Sequence, residues 1–152
     1  SANNSMLTPP GNEDGIDFIA TIKFSNTAHY LFGINGPLRI IGQCKKYNTP
    51  VPYEKVKDFS ATIVNVQHKT EKIRKILPNW FLQSKGPIIG WFIGHSGFQQ
   101  GAKDRAKDFG IILSDTYDIG ELISTSRKYY SNLTFDKRHE KIKPDIHQIL
   151  TG

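Results

Sequence analysis

The sequence predicts an α/β domain built on one central mixed β-sheet flanked by helices, and three observations carry that expectation. Short β-rich runs alternate with helical ones in the order β-β-α-β-α-β-α. The run Ile88-Ile89-Gly90-Trp91-Phe92-Ile93 is almost continuously apolar, as a strand covered on both faces is. From Pro52 to Leu77 the chain has no Gly and no internal Pro, while apolar residues recur at helical spacing.

The elements follow in order. Residues 1–15 hold Pro9-Pro10 and two glycines without apolar periodicity, and read as a tail or loop. Ile16 to Ile22 is rich in β-branched and aromatic residues and reads as the first strand. A loop follows from about Ser25 to Pro37, with Tyr30-Leu31-Phe32 as a candidate strand fragment, and Leu38 to Lys45 is the second strand, ended by Asn48-Thr49-Pro50. Val56, Phe59, Ile63, Val66, Ile73 and Ile76 trace one apolar stripe, giving one helix or two broken near Gln67-His68, with Pro52 at the start and Pro78 as the stop. After the strand Ile88–Ile93, Ser96 is the expected cap of a helix carrying Ala102 and Ala106 and ending at Gly110. Ile111-Ile112-Leu113 reads as a further strand, and Asp118 with Glu121 as the opening of a helix to about Tyr130. The domain is thus expected over 16–131, followed by a basic C-terminal extension over 132–152.

Composition narrows the function classes. The 152 residues carry 20 Lys and Arg against 14 Asp and Glu, a net charge of +6 that suits a polyanionic partner. Cys44 is the single cysteine, which excludes an intrachain disulfide and a cysteine-based zinc cluster, and the five histidines show no ligand spacing. No apolar run reaches the roughly 18 residues of a membrane span. No charged and apolar N-terminal pattern of a secretory signal and no Walker-type loop is present.

One constellation can carry chemistry. Asp17 stands at the start of the first strand, and Gln43 and Lys45 at the end of the second. In an antiparallel pair the start of one strand lies beside the end of the other. Residues 43 and 45 share a face, and Cys44 turns its side chain away while offering its backbone carbonyl. A carboxylate, an amide oxygen and a main-chain carbonyl form a partial shell of hard oxygens for Mg²⁺, and Lys45 is placed to orient water and offset phosphate charge. The set suits metal-assisted phosphodiester hydrolysis.

Gly15-Ile16-Asp17-Phe18-Ile19-Ala20, Gln43-Cys44-Lys45-Lys46-Tyr47, and Gly94-His95-Ser96-Gly97-Phe98 with Gly101-Ala102 and Ala106 resemble the Mrr-type restriction endonuclease domain of the PD-(D/E)XK nuclease superfamily. The resemblance runs from about Asp14 to Ile123, with an unfamiliar stretch between about Val66 and Gly86. It implies the restriction-endonuclease-like fold and DNA cleavage dependent on Mg²⁺, with Mn²⁺ as a substitute. Asp17 takes the motif aspartate, Gln43 the position most members fill with Glu or Asp, and Lys45 the motif lysine. Members usually carry a helix with an acidic residue ahead of the aspartate; here sixteen residues of loop composition precede Asp17, and Glu13 or Asp14 stands as the candidate acid. The resemblance further implies a homodimer, target recognition by a domain elsewhere in a longer chain, and a prokaryotic cytoplasmic or nucleoid setting. The same motifs resemble Holliday-junction resolvases and a fungal mitochondrial group of nuclease-like proteins, which would place a homologue in mitochondria. A nuclease-fold module that binds DNA without cutting it is the rival from another class.

The remaining candidates have plainer readings beside functional ones. Lys46 is a surface lysine or a phosphate contact. His95 either contacts DNA or packs at its strand end. Ser96 is read first as a cap and second as a DNA contact. Lys69, Lys72, Arg74 and Lys75 form a basic segment broken only by Glu71, either a solvated helix face or a patch that follows phosphates. Cys44 reads as a buried apolar side chain, Trp80, Phe81 and Trp91 as core or interface, and Tyr129-Tyr130 as core rather than base-stacking residues.

Overall fold

The computed structural model describes residues 4–8, 15–23 and 36–125. A five-stranded sheet forms from β1 (Asn4–Leu7), β2 (Phe18–Ile22), β3 (Leu38–Lys45), β4 (Ile88–Gly94) and β5 (Ile112–Ser114), in that spatial order. The first three strands run antiparallel and the last three parallel, so the sheet is mixed as its sequence implied. The helices are α1 (Tyr53–Gln67), α2 (Glu71–Ile76), α3 (Asn79–Leu82), α4 (Gln100–Asp108) and α5 (Thr116–Thr125).

The apolar stripe of α1 and the alternation of the strands meet on one face of the sheet. Ile19 pairs with Ile41 and Gln43 with Phe92, so these side chains share that face. Val56, Phe59, Val66, Ile73, Phe81, Phe92 and Ala102 are buried beside them. The Phe59 ring meets Phe92 edge-on at 5.4 Å, while Ile63 and Phe59 close over Gly90, where a Cβ would collide with the Ile63 side chain. Passing from Phe59 to Ile63 therefore moves back along β4 from Phe92 to Gly90. α1 thus starts where β3 and β4 end and finishes where they begin. Truncating Phe92 to Ala would cost about 3–5 kcal/mol, the usual range for emptying an aromatic core site.

Several boundaries differ from the sequence reading. Asn4–Leu7, expected as tail, is an edge strand on β2 with Met6 opposite Ile19. Its four residues are too few and too polar for a periodic signal, and main-chain pairing holds it instead. The first long strand begins at Phe18, two residues later than read. Two helices separate at 68–70, and Pro78 caps the unforeseen α3. Ser96 is not a helix cap: Gln99 occupies that position, and the Ser96 hydroxyl donates to the Tyr47 carbonyl at 2.8 Å. Gly97, at φ 74, turns the chain, and the bridge between Val51 and Phe98 extends the sheet contacts before the helix can start. α5 opens at Asp115 rather than Asp118. The Asp115 carboxylate accepts from the Tyr117 and Asp118 amides while Asp118 accepts from the Asp115 amide, a reciprocal capping box. The strand fragment expected at Tyr30–Phe32, the Tyr129-Tyr130 pair and the C-terminal extension lie outside the described residues.

Candidate active site

The corner at the start of β2 and the end of β3 is built from alternating inward and outward residues. Ile16 is fully buried and anchors the chain, which leaves Asp17 at the rim. The Asp17 N–H donates to the Gly42 carbonyl at 2.8 Å, although Gly42 is the register partner of Phe18. Two residues therefore face one, a β-bulge that re-aims the first side chain. The Phe18 ring lies over Gly42, where any Cβ would collide with it. Beyond the bulge the Asp17 carboxylate accepts from the Cys44 N–H at 2.6 Å, a short charge-assisted bond. It stands at the main chain between Gln43 and Lys45.

Gln43 is only 8% exposed, and its amide lies against Gly15, whose φ of 64 and missing Cβ make the room. A Cβ at Gly15 would strike the Gln43 amide nitrogen. Lys45 is half-buried on the same face as Gln43, and its carbonyl accepts from the His95 N–H at 3.0 Å. Lys45 thus turns its main chain toward β4, and by strand alternation Cys44 turns its N–H and carbonyl toward Asp17.

Cys44 was expected to be buried, but its side chain is exposed. It belongs to the face opposite Gln43 and Lys45, so it escapes the core those residues border. Desolvation by surrounding protein atoms and then the Asp17 charge push its thiol from 9.0 up to about 11, against the opposing pull of Lys45. Asp17 and Lys45 therefore both act electrostatically on this one sulfur.

His95 and Ser96 lie at the same end of the sheet. The Thr116 hydroxyl donates to the His95 carbonyl at 3.2 Å and lies 2.9 Å from His95 Nδ1. The His95 ring is exposed. Lys46 is exposed beside it, and α1 and α4 present the positive ends of their dipoles at the same end. The basic segment is elsewhere. Lys69, Lys72 and Lys75 follow the far end of α1, about 20 Å away along the length of β3. Lys75 is ion-paired with Glu71 at 2.8 Å, and Lys69 ends a helix. The corner and the segment are not brought together.

Glu13 and Asp14 lie outside the described residues, and among the described residues no three His, Cys, Asp or Glu side chains cluster as metal ligands do. A cleft of about 260 Å³ lined by Phe98, Lys103, Leu113 and Asp118 lies off the corner. Two participants escape a reading of the sequence by itself. Gly15 stands there only as part of a motif string, though a glycine two residues before a rim aspartate is a readable sign of a forced turn. Thr8 has no local signal, because its N–H and hydroxyl donate to the carbonyls of Asp17 and Ile16 just ahead of β2, which strand pairing alone brings to it.

A family model described as restriction endonuclease matches residues 3–123. The MspJI restriction endonuclease, solved in complex with a 27-mer oligonucleotide, is similar in fold, with a TM-score of 0.53 and 17% identity. The match covers 95% of this chain and 25% of that one, so the chain spans about a quarter of its length. A crystallised protein of unknown function, AF1548, has a TM-score of 0.50 and 15% identity over 94% of this chain and 70% of that one. No curated protein matches.

Proposed function

The chain belongs to the Mrr-type restriction endonuclease catalytic-domain family, a nuclease family, and from that premise we propose that it hydrolyses DNA phosphodiester bonds with Mg²⁺. The observation that supports the reading most is the Asp17 carboxylate seated on the Cys44 N–H, in the middle of Gln43-Cys44-Lys45. The donor chemistry at the corner fits a small hard cation: one carboxylate, the Gln43 amide oxygen and the Cys44 carbonyl are all oxygens. Asp17, Gln43 and the Cys44 carbonyl would hold the ion. When bound, Mg²⁺ supplies Lewis-acid polarisation of the phosphate and a more acidic water.

The chain's own groups do the rest. The Cys44 N–H fixes one carboxylate oxygen of Asp17. Lys45 offsets the negative charge that grows on the phosphate and holds the attacking water by hydrogen bonding. The dipoles of α1 and α4 and the exposed Lys46 and His95 form a rim against which a DNA backbone can lie. The neighbour solved in complex with an oligonucleotide supports DNA as the substrate class.

Plasmid nicking with Mg²⁺ tests the reading, comparing the parent with Asp17→Ala and Lys45→Ala. Each substitution is expected to lower cutting on the order of a hundredfold or more while leaving the fold intact. Equal cutting by all three rejects the assignment. Salt-sensitive DNA binding with no cutting by any of them selects the module that binds without cleaving.

A further inference from the structure

We infer that Thr8 is the positioning residue that sets the direction of the Asp17 carboxylate, an inference that rests on the nuclease reading and deepens it. The bulge creates the need. Asp17 Oδ2 takes the Cys44 N–H, a donor that a regular ladder would give to a main-chain carbonyl of the strand ahead of Phe18. The adjacent carbonyls must then find donors on the other side, because unpaired main-chain groups beside the buried Ile16 are costly.

Thr8 supplies both. Its N–H donates to the Asp17 carbonyl at 3.0 Å, and its hydroxyl donates to the Ile16 carbonyl. These are the peptide groups on either side of the Asp17 α-carbon. Holding both planes fixes the two soft dihedrals of Asp17 and so the line along which its side chain leaves the backbone. The Asp17 N–H to Gly42 closes the clamp from the opposite strand. Thr8 follows directly on β1, so the pairing of that short edge strand with β2 is what carries Thr8 into register.

Amide hydrogen exchange of Cys44 reads the placement directly, since that amide is protected by Asp17. Parent, Thr8→Ser, Thr8→Val and Asp17→Ala are compared by NMR, with the Ile41 amide as a mid-sheet reference and Mn²⁺ line broadening as a second readout. Thr8→Val keeps the shape of the side chain and removes the hydroxyl. It is expected to speed Cys44 exchange about tenfold or more toward the Asp17→Ala rate, with Ile41 unchanged and Mn²⁺ binding weakened several-fold. Thr8→Ser, which keeps the hydroxyl, is expected to stay near the parent. A merely structural role would speed Ile41 and Cys44 together, and that result, or unchanged Cys44 exchange, overturns the inference. Thr8→Ala serves in the same way if the valine variant does not fold. Cutting lost in Lys45→Ala with Cys44 exchange unmoved in Thr8→Val rejects the Thr8 inference alone. Altered exchange with no Mn²⁺ binding in the parent rejects the metal-site reading and, with it, any role of Thr8 in the chemistry.

Discussion

Cys44 is where a single residue reports on its neighbours. Its thiol is pushed to about 11, first by desolvation and second by the Asp17 carboxylate, so it is protonated at neutral pH. Alkylation by iodoacetamide is therefore expected to be slow at pH 7.5 and to climb toward pH 11, because the thiolate is the nucleophile. Asp17→Asn removes the negative charge and is expected to speed alkylation at fixed pH; an unchanged rate would show that the carboxylate does not act on the sulfur. The linkage has a definite sign. With the folded thiol pKa raised from 9.0 to about 11, its contribution to stability is complete below about 9 and is lost as pH rises toward 11. Cys44→Ser is expected to flatten the fall in stability over that window. None of this was legible in the sequence, which shows a small residue between two strand positions and not which charges surround it.

At the scale of elements, the end of α1 separates a structural lysine from a functional one. Lys69 adopts a left-handed φ of 49, its N–H donates to the Val66 carbonyl, and the Thr70 N–H donates to the Asn65 carbonyl. This is a Schellman ending in which glycine is the usual occupant. Lys69→Gly relieves the Cβ strain and is expected to stabilise the protein by about 0.5–1 kcal/mol, raising Tm by roughly 1–4 °C. The same variant weighs the phosphate reading of this segment. A DNA-binding salt slope unchanged by Lys69→Gly assigns the residue to helix termination, and a slope reduced by about one assigns it a phosphate. The sequence left one helix or two open, with any break near Gln67-His68, and the structure has two. The left-handed lysine was not legible there, because nothing in the residue type announces a positive φ.

For the whole molecule, the sheet order decides what converges. The ends of β3 and β4, the starts of α1 and α4, Lys45, Lys46 and His95 share one end, while Lys69, Lys72 and Lys75 lie at the other. One carboxylate among the described residues at the corner gives a divalent ion little charge compensation, so Mg²⁺ is expected to bind the free protein weakly, with DNA phosphate completing its shell. Binding should then be mutual: Mg²⁺ tightens DNA and DNA tightens Mg²⁺ by the same factor. Titrations of each ligand with and without the other check this, and additive binding would argue against a shared site. Higher salt should weaken DNA binding with a slope set by the number of phosphates contacted.

The sequence by itself determined the mixed sheet, the apolar stripe of the long helix and the neighbourhood of Asp17 with Gln43-Cys44-Lys45. Those follow from local periodicity and from the rule that the end of one antiparallel strand meets the start of the next. The tertiary structure alone decided the bulge at Asp17, the pairing of β1, the grip of Thr8 on two carbonyls and the exposure of Cys44. Each depends on which main-chain donors and acceptors remain free once distant strands have paired, and that accounting is closed only in three dimensions.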